Sequence, residues 1–181
     1  MTTMTACRLA AAAAAFIALA TPGLGAEGLL ESCAAGQRFA AGDITVSGAY
    51  TRAMLPRAAA AGGYLSIANA GAAADTLESV SSAAATRVEV HQMRLEGDMM
   101  KMAPVEGGLE IPPGGSVALM PSGYHLMFMG IAAPFAEGQC VVVTLHFARA
   151  GALEVALNVG GVAQDGPVGE HDGHMHDMPG M

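Results

Sequence analysis

Between residues 44 and 159 the chain alternates apolar and polar positions in short runs, most of them closed by Gly, Pro or Asn, with no stretch of sustained helical periodicity. The runs predict strands at Ile44–Tyr50, Gly63–Asn69, Asp75–Ser81, Thr86–Leu95, Met99–Ala103, Ser116–Met120, Gly123–Gly130, Gln139–Arg149 and Ala152–Val159. Breakers separate them at Asn69-Ala70-Gly71, Glu96-Gly97, Pro112-Pro113-Gly114-Gly115, Pro121-Ser122-Gly123 and Ala150-Gly151. Many short strands at this spacing predict an all-β fold, an antiparallel sandwich or barrel. The alanines at 58–61 are expected to make at most a short helical turn, ended by Gly62-Gly63.

Both ends depart from this pattern. Residues 1–26 carry one basic residue, Arg8, then an apolar run from Leu9 to Ala20, a Pro22-Gly23 break and small residues up to Ala26, with the first acid at Glu27. That is the layout of a secretory signal peptide cut near Ala26, so a periplasmic location is expected. The apolar run is shorter than the ~20 residues a membrane-spanning helix needs, so no span is expected after cleavage. Residues 27–40 are read as an N-terminal extension and residues 41–160 as a single domain. Residues 161–181 are rich in Gly, Asp, Pro, His and Met and too poor in apolar residues to order themselves, so a mobile tail is expected.

The formal net charge of −8 moves to −9 when Arg8 leaves with the leader. Nucleic acid and anionic membrane surfaces are poor partners for such a chain, because both depend on clustered Lys and Arg. Removal of the leader also removes Cys7 and leaves Cys33 and Cys140. In an oxidising compartment these two could close a disulfide or remain separate thiols, and the sequence leaves both open.

Methionine and histidine carry the chemical signal. Seven of the 13 methionines lie between residues 91 and 130, and five of the six histidines fall in that window or in the tail. Side chains alternate along a strand. Tyr124, Leu126 and Phe128 therefore share one face, while His125, Met127 and Met129 share the other. In the preceding strand Val88 and Val90 oppose Arg87, Glu89, His91 and Met93. A two-residue loop at Glu96-Gly97 would set Met93 opposite Met100 and His91 opposite Met102, close enough for two side chains to clasp one ion. Thioether sulfur and imidazole nitrogen suit soft Cu(I), whereas hard cations want oxygen. Thioethers also survive where thiols are oxidised.

The segments His91-Gln92-Met93, Met100-Lys101-Met102-Ala103-Pro104-Val105-Glu106-Gly107-Gly108-Leu109-Glu110-Ile111-Pro112 and Gly123-Tyr124-His125-Leu126-Met127-Phe128-Met129-Gly130 resemble the signature of the PCu(A)C-type periplasmic copper chaperones. That signature is a His, a Met about ten residues on, and a His-x-Met some twenty further. Here ten residues lie between His91 and Met102, and twenty-two between Met102 and His125. The resemblance spans roughly residues 41–159. It implies a cupredoxin-like, antiparallel Greek-key sandwich without the blue-copper ligand set. It also implies Cu(I) held by His91, Met102, His125 and Met127, and delivery of copper to an acceptor such as the CuA site of cytochrome c oxidase subunit II or another periplasmic copper carrier. A monomer is the expected state. Two features depart from the family: Tyr50 stands where Trp is common, and the cysteine pair is not part of the pattern.

Other residues take lesser roles. Met93, Met100 and Met129 are expected around the ligands, shielding the ion from water. Met54 and Met120 are expected to pack, and His146 to be an exposed structural histidine. In the tail, His171, His174, Met175, His176 and Met178 stand among acids and form a candidate second site for Cu(I) or Cu(II). Three functions compete: copper transfer, with copper scavenging or tolerance as its variant; a copper-dependent oxidoreductase; and a structural sandwich whose methionines only pack. The oxidoreductase would need further histidines and a substrate cleft, and no acid/base pair or nucleophile constellation is evident, so a non-enzyme is expected.

Overall fold

The computed structural model describes Leu29–Leu30 (backbone), Cys33 and residues 36–167. The predicted leader and the tail residues from 168 onward, including His171, His174, Met175, His176 and Met178, lie outside the described residues.

Twelve strands follow one another and no helix occurs among the described residues: β1 (Leu29–Leu30), β2 (Arg38–Ala41), β3 (Ile44–Arg52), β4 (Ala60–Asn69), β5 (Asp75–Ser81), β6 (Ala85–Glu96), β7 (Met99–Pro104), β8 (Leu109–Ile111), β9 (Ser116–Leu119), β10 (Tyr124–Ile131), β11 (Cys140–Phe147) and β12 (Gly151–Gly160). The pairings β11–β12, β12–β3, β3–β4, β4–β10, β10–β6, β6–β5 and β5–β11 return to their starting strand, so the sheet closes into a barrel-like β-sandwich. Closure leaves few free edges. Most pairs are antiparallel; β12–β3 and β9–β10 are parallel.

Inward positions fill the centre. Val46 of β3, Ile67 of β4, Leu126 and Phe128 of β10, Leu145 of β11 and Leu157 of β12 have no exposed surface. Gly63 lets β4 approach closely, since a Cβ there would sit 2.8 Å from Phe128 and 2.9 Å from Leu157.

The structure departs from the sequence expectations in several places. β1, β2 and β8 were not expected, being too short for alternation to register; β1 and β2 tie part of the N-terminal extension to β11 and β3. The alanines at 58–61 make no helical turn, because Ala60 already begins β4. Cys33 and Cys140, for which the sequence leaves a disulfide and separate thiols equally open, are joined in a disulfide across a sequence separation of 107 residues. Residues 161–167, expected as the start of a mobile tail, are held by Arg52, which donates from Nε to the carbonyl of Gln164 and pairs with Asp165 at 2.6 Å. Tyr50 packs its ring on Tyr64 with centroids 5.0 Å apart.

Candidate metal centre

Three neighbouring strands, β10, β6 and β7, bring the donors together. In β10 the core takes Leu126 and Phe128, which turns His125, Met127 and Met129 to the other face. The antiparallel register sets His125 beside His91, Met127 beside Glu89 and Met129 beside Arg87. The β6–β7 hairpin turns at Gly97-Asp98, not Glu96-Gly97, with Gly97 at φ 64° in the first loop position. Met102 consequently faces Met93, Met100 faces Leu95, and His91 faces Pro104. The expected opposition of His91 to Met102 is thereby corrected by one step of two residues. A two-residue step preserves the face, so Met102 remains on the side of His91.

Both histidines are buried, His91 at 9% and His125 at 6% exposure, yet neither belongs to the apolar core cluster. Their ring centres are 6.0 Å apart. An ion roughly 2.0 Å from a ring nitrogen lies about 3 Å from that ring's centre, so one ion fits between the two rings. Nε2 of His125 is 3.1 Å from Sδ of Met102. Two donors on one tetrahedral ion stand roughly 3.5 Å apart, so this pair needs to open by only a few tenths of an ångström. Nδ1 of His125 faces the carbonyl of Gly123 at 3.3 Å, and a carbonyl only accepts. That contact assigns the proton to Nδ1 and leaves the Nε2 lone pair aimed at the sulfur. Burial, aided by the neighbouring His91 and opposed by the Gly123 carbonyl, lowers the pKa of His125, which keeps it a neutral donor at neutral pH.

His91 is arranged differently. Its Nε2 is 2.9 Å from Oε2 of Glu89, and its Nδ1 is buried without a hydrogen-bond partner among the described residues. Such an orphan costs about 1–3 kcal/mol unless something occupies it. Met127 is half-buried in the strand position next after His125 on the same face.

The structure thus gathers His91, His125 and Met102, with Met127 adjoining. Among the surrounding methionines, Met93 adjoins Met102, Met100 lies toward the exposed hairpin end, and the sulfur of Met129 accepts from Arg87 at 3.5 Å. Met54 packs against the core as expected, but Met120 is exposed, because it leaves β9 in the turn before β10. His146 is half-buried and its Nε2 lies 3.1 Å from the Ser81 hydroxyl. Glu89 was read only as a charged neighbour; its two-residue spacing from His91 on one strand was the signal for their contact. Among the described residues no three His, Cys, Asp or Glu side chains converge as a metal site, so a centre here depends on thioethers. A groove of 570 Å³ bordered by Arg38, Tyr50, Leu119 and Pro167 includes none of the four candidate donors.

The sequence profile of the LpqE-like family, named for a lipoprotein, matches residues 44–159, the span that carries every donor just described. The chain belongs to this PCuAC-type family. A relative named as a lipoprotein, Lxx21020 of Leifsonia xyli subsp. xyli (strain CTCB07), is 31% identical over 93 residues, covering 51% of this PCuAC-type chain and 56% of the relative. The chain therefore spans about half the length of that relative. The copper-bound PCuAC domain from PmoF2 is similar in fold, with a TM-score of 0.59 at 24% identity over 69% of this chain and 98% of that domain. The solution structure of CuI-DR1885 from Deinococcus radiodurans aligns with a TM-score of 0.50 at 26% identity, covering 68% of this chain and 80% of the other. The fold is accordingly cupredoxin-like. No helix among the described residues is long and apolar enough to cross a membrane.

Proposed function

We propose that this protein is an exported copper chaperone that holds Cu(I) with His91, Met102, His125 and Met127 and passes it to an acceptor protein. The observation that carries the reading is the 3.1 Å approach of His125 Nε2 to Met102 Sδ beside the unpartnered nitrogen of His91. Two imidazoles and two thioethers form a neutral, soft donor set, which favours Cu(I) over hard cations and grips it less firmly than thiolates would. Copper in CuI-DR1885 and in the PmoF2 domain is consistent with the same cargo here. The histidines are buried while Met102 is 47% exposed, so an acceptor's donors reach the ion from the Met102 side, where a thioether can be replaced without opening the core.

The Cys33–Cys140 disulfide and the lipoprotein name of the relative support a location outside the reducing cytoplasm, the periplasm being the compartment the leader indicates. The CuA site of cytochrome c oxidase subunit II is the acceptor the family resemblance favours, with a second periplasmic copper carrier as the other choice. The tail histidines and methionines (His171, His174, Met175, His176, Met178) supply a second copper site in this proposal. Catalysis plays no part in it, and the protein acts as a monomer.

The test is titration of the leader-free protein with Cu(I) against a chelating competitor, followed by X-ray absorption. One tightly bound ion with mixed sulfur and nitrogen neighbours is expected, lost in H125A and in M102A. Binding unchanged in both variants would sink the assignment. Truncation after residue 167 is expected to remove a second, independent equivalent.

A further inference from the structure

On the strand that carries His91, two charged side chains line up behind it. Glu89 is paired with both neighbours on its face: its Oε2 is 2.9 Å from His91 Nε2, and its Oε1 is 3.3 Å from Arg87 Nε. Arg87 is anchored in turn, its Nη2 reaching the sulfur of Met129 across the strand pair at 3.5 Å. The row Met129, Arg87, Glu89, His91 therefore ends on the buried imidazole.

An ionised carboxylate can only accept a hydrogen bond, so the nitrogen facing Glu89 has to carry the proton. In a neutral imidazole the other nitrogen then holds the lone pair. For His91 that other nitrogen is Nδ1, the buried atom without a partner. At His125 the order is reversed, because the Gly123 carbonyl takes Nδ1–H and frees Nε2. The two histidines are thus presented through opposite nitrogens, each fixed by a different kind of acceptor.

We propose that Glu89 is a positioning residue which, steadied by Arg87, locks His91 as its Nε2–H tautomer so that copper is taken by Nδ1. This rests on the copper reading above. A carboxylate behind a ligating histidine also makes the ring a better donor, and loss of such a partner typically weakens metal binding about 10- to 100-fold.

The test uses the leader-free full chain with ¹⁵N-labelled histidine, read by long-range ¹H–¹⁵N correlation. In copper-free wild type, His91 is expected to show a protonated Nε2 and an unprotonated Nδ1; on adding Cu(I), Nδ1 should shift while Nε2 keeps its proton. E89L should lose the tautomer preference and bind Cu(I) roughly 10- to 100-fold more weakly, and E89Q, whose amide oxygen still accepts the proton, should recover most of that loss. A protonated Nδ1 in the copper-free protein, displacement of the Nε2 proton by Cu(I), or unchanged affinity in E89L would each overturn the inference. If E89L fails to fold, the wild-type spectra and E89Q still decide it. Wild-type protein that binds no Cu(I) would instead remove the proposed function itself, an outcome distinct from copper bound through the wrong nitrogen.

Discussion

Breaking the Cys33–Cys140 bond should destabilise the domain without disturbing the donor cluster. The bond closes a loop across 107 residues of separation, nearly the whole sandwich. Loop-closure entropy for a chain of that length amounts to about 4.8 kcal/mol at 25 °C. The reduced native state recovers part of this, because among the described residues before β2 the strand pairs that remain are Leu29 with Val141 and Leu30 with Cys140. A net loss of roughly 3–4 kcal/mol is expected, seen as a fall on the order of 10 °C in Tm. The comparison is urea and thermal unfolding of oxidised protein, reduced protein and C33A, which leaves Cys140 in its buried place as a small apolar thiol. Cu(I) affinity should stay the same, because the donors sit on β6, β7 and β10 while the bond joins the N-terminal segment to β11. A stability loss below about 1 kcal/mol would refute the loop argument, and a parallel loss of copper binding would refute the independence of the site.

Four further substitutions test other parts of the structure. Asp75 accepts hydrogen bonds from the backbone N–H groups of Thr76, Arg149 and Ala150; burial pushes its pKa up, but those bonds and the Arg149 charge outweigh burial and the pKa ends lowered. Its stabilisation is therefore complete above the unfolded value of about 3.9 and lost as pH falls through the lower folded pKa, so D75N should cost roughly 1.5–3 kcal/mol at pH 7 in chemical denaturation, with the gap to wild type closing below pH 4. M102L should leave stability within about 0.5 kcal/mol, since Met102 is half exposed, yet weaken Cu(I) by at least about tenfold, whereas M100L should change neither. G63A forces a methyl against Phe128 and Leu157 and should destabilise by about 1–3 kcal/mol in the same unfolding assays.

The strands that the sequence made legible are those with enough alternation to separate a core face from an outer one. In β10, Leu126 and Phe128 against His125 and Met127 leave no choice of facing. β8 has only Leu109, Glu110 and Ile111 between glycines and prolines, too few positions for a period of two to stand out. β1 has two residues, one repeat of that pattern, and β2 has four, only two repeats; both owe their place to pairing with β11 and β3. The hairpin register was one step off because Glu96-Gly97 puts glycine second in the loop, whereas the chain puts Gly97 first, where its positive φ is used.

That error did not reach the donors, and the reason is physical. Changing which residues open the loop while keeping its length moves the pairing by two, an even step, and an even step cannot turn a side chain to the other face. Cross-strand partners are fragile predictions, while the set of residues sharing a face is robust. What facing could not convey is depth. Sharing a face with Arg87 and Glu89 suggested a solvated row, yet His91 and His125 are nearly closed off while Met102 stays half open. A buried imidazole needs its polar atoms answered, and two residues away along the same strand stands the carboxylate that answers one of them. The charge that made the face look exposed is thus one of the groups that allows a histidine to be buried on it.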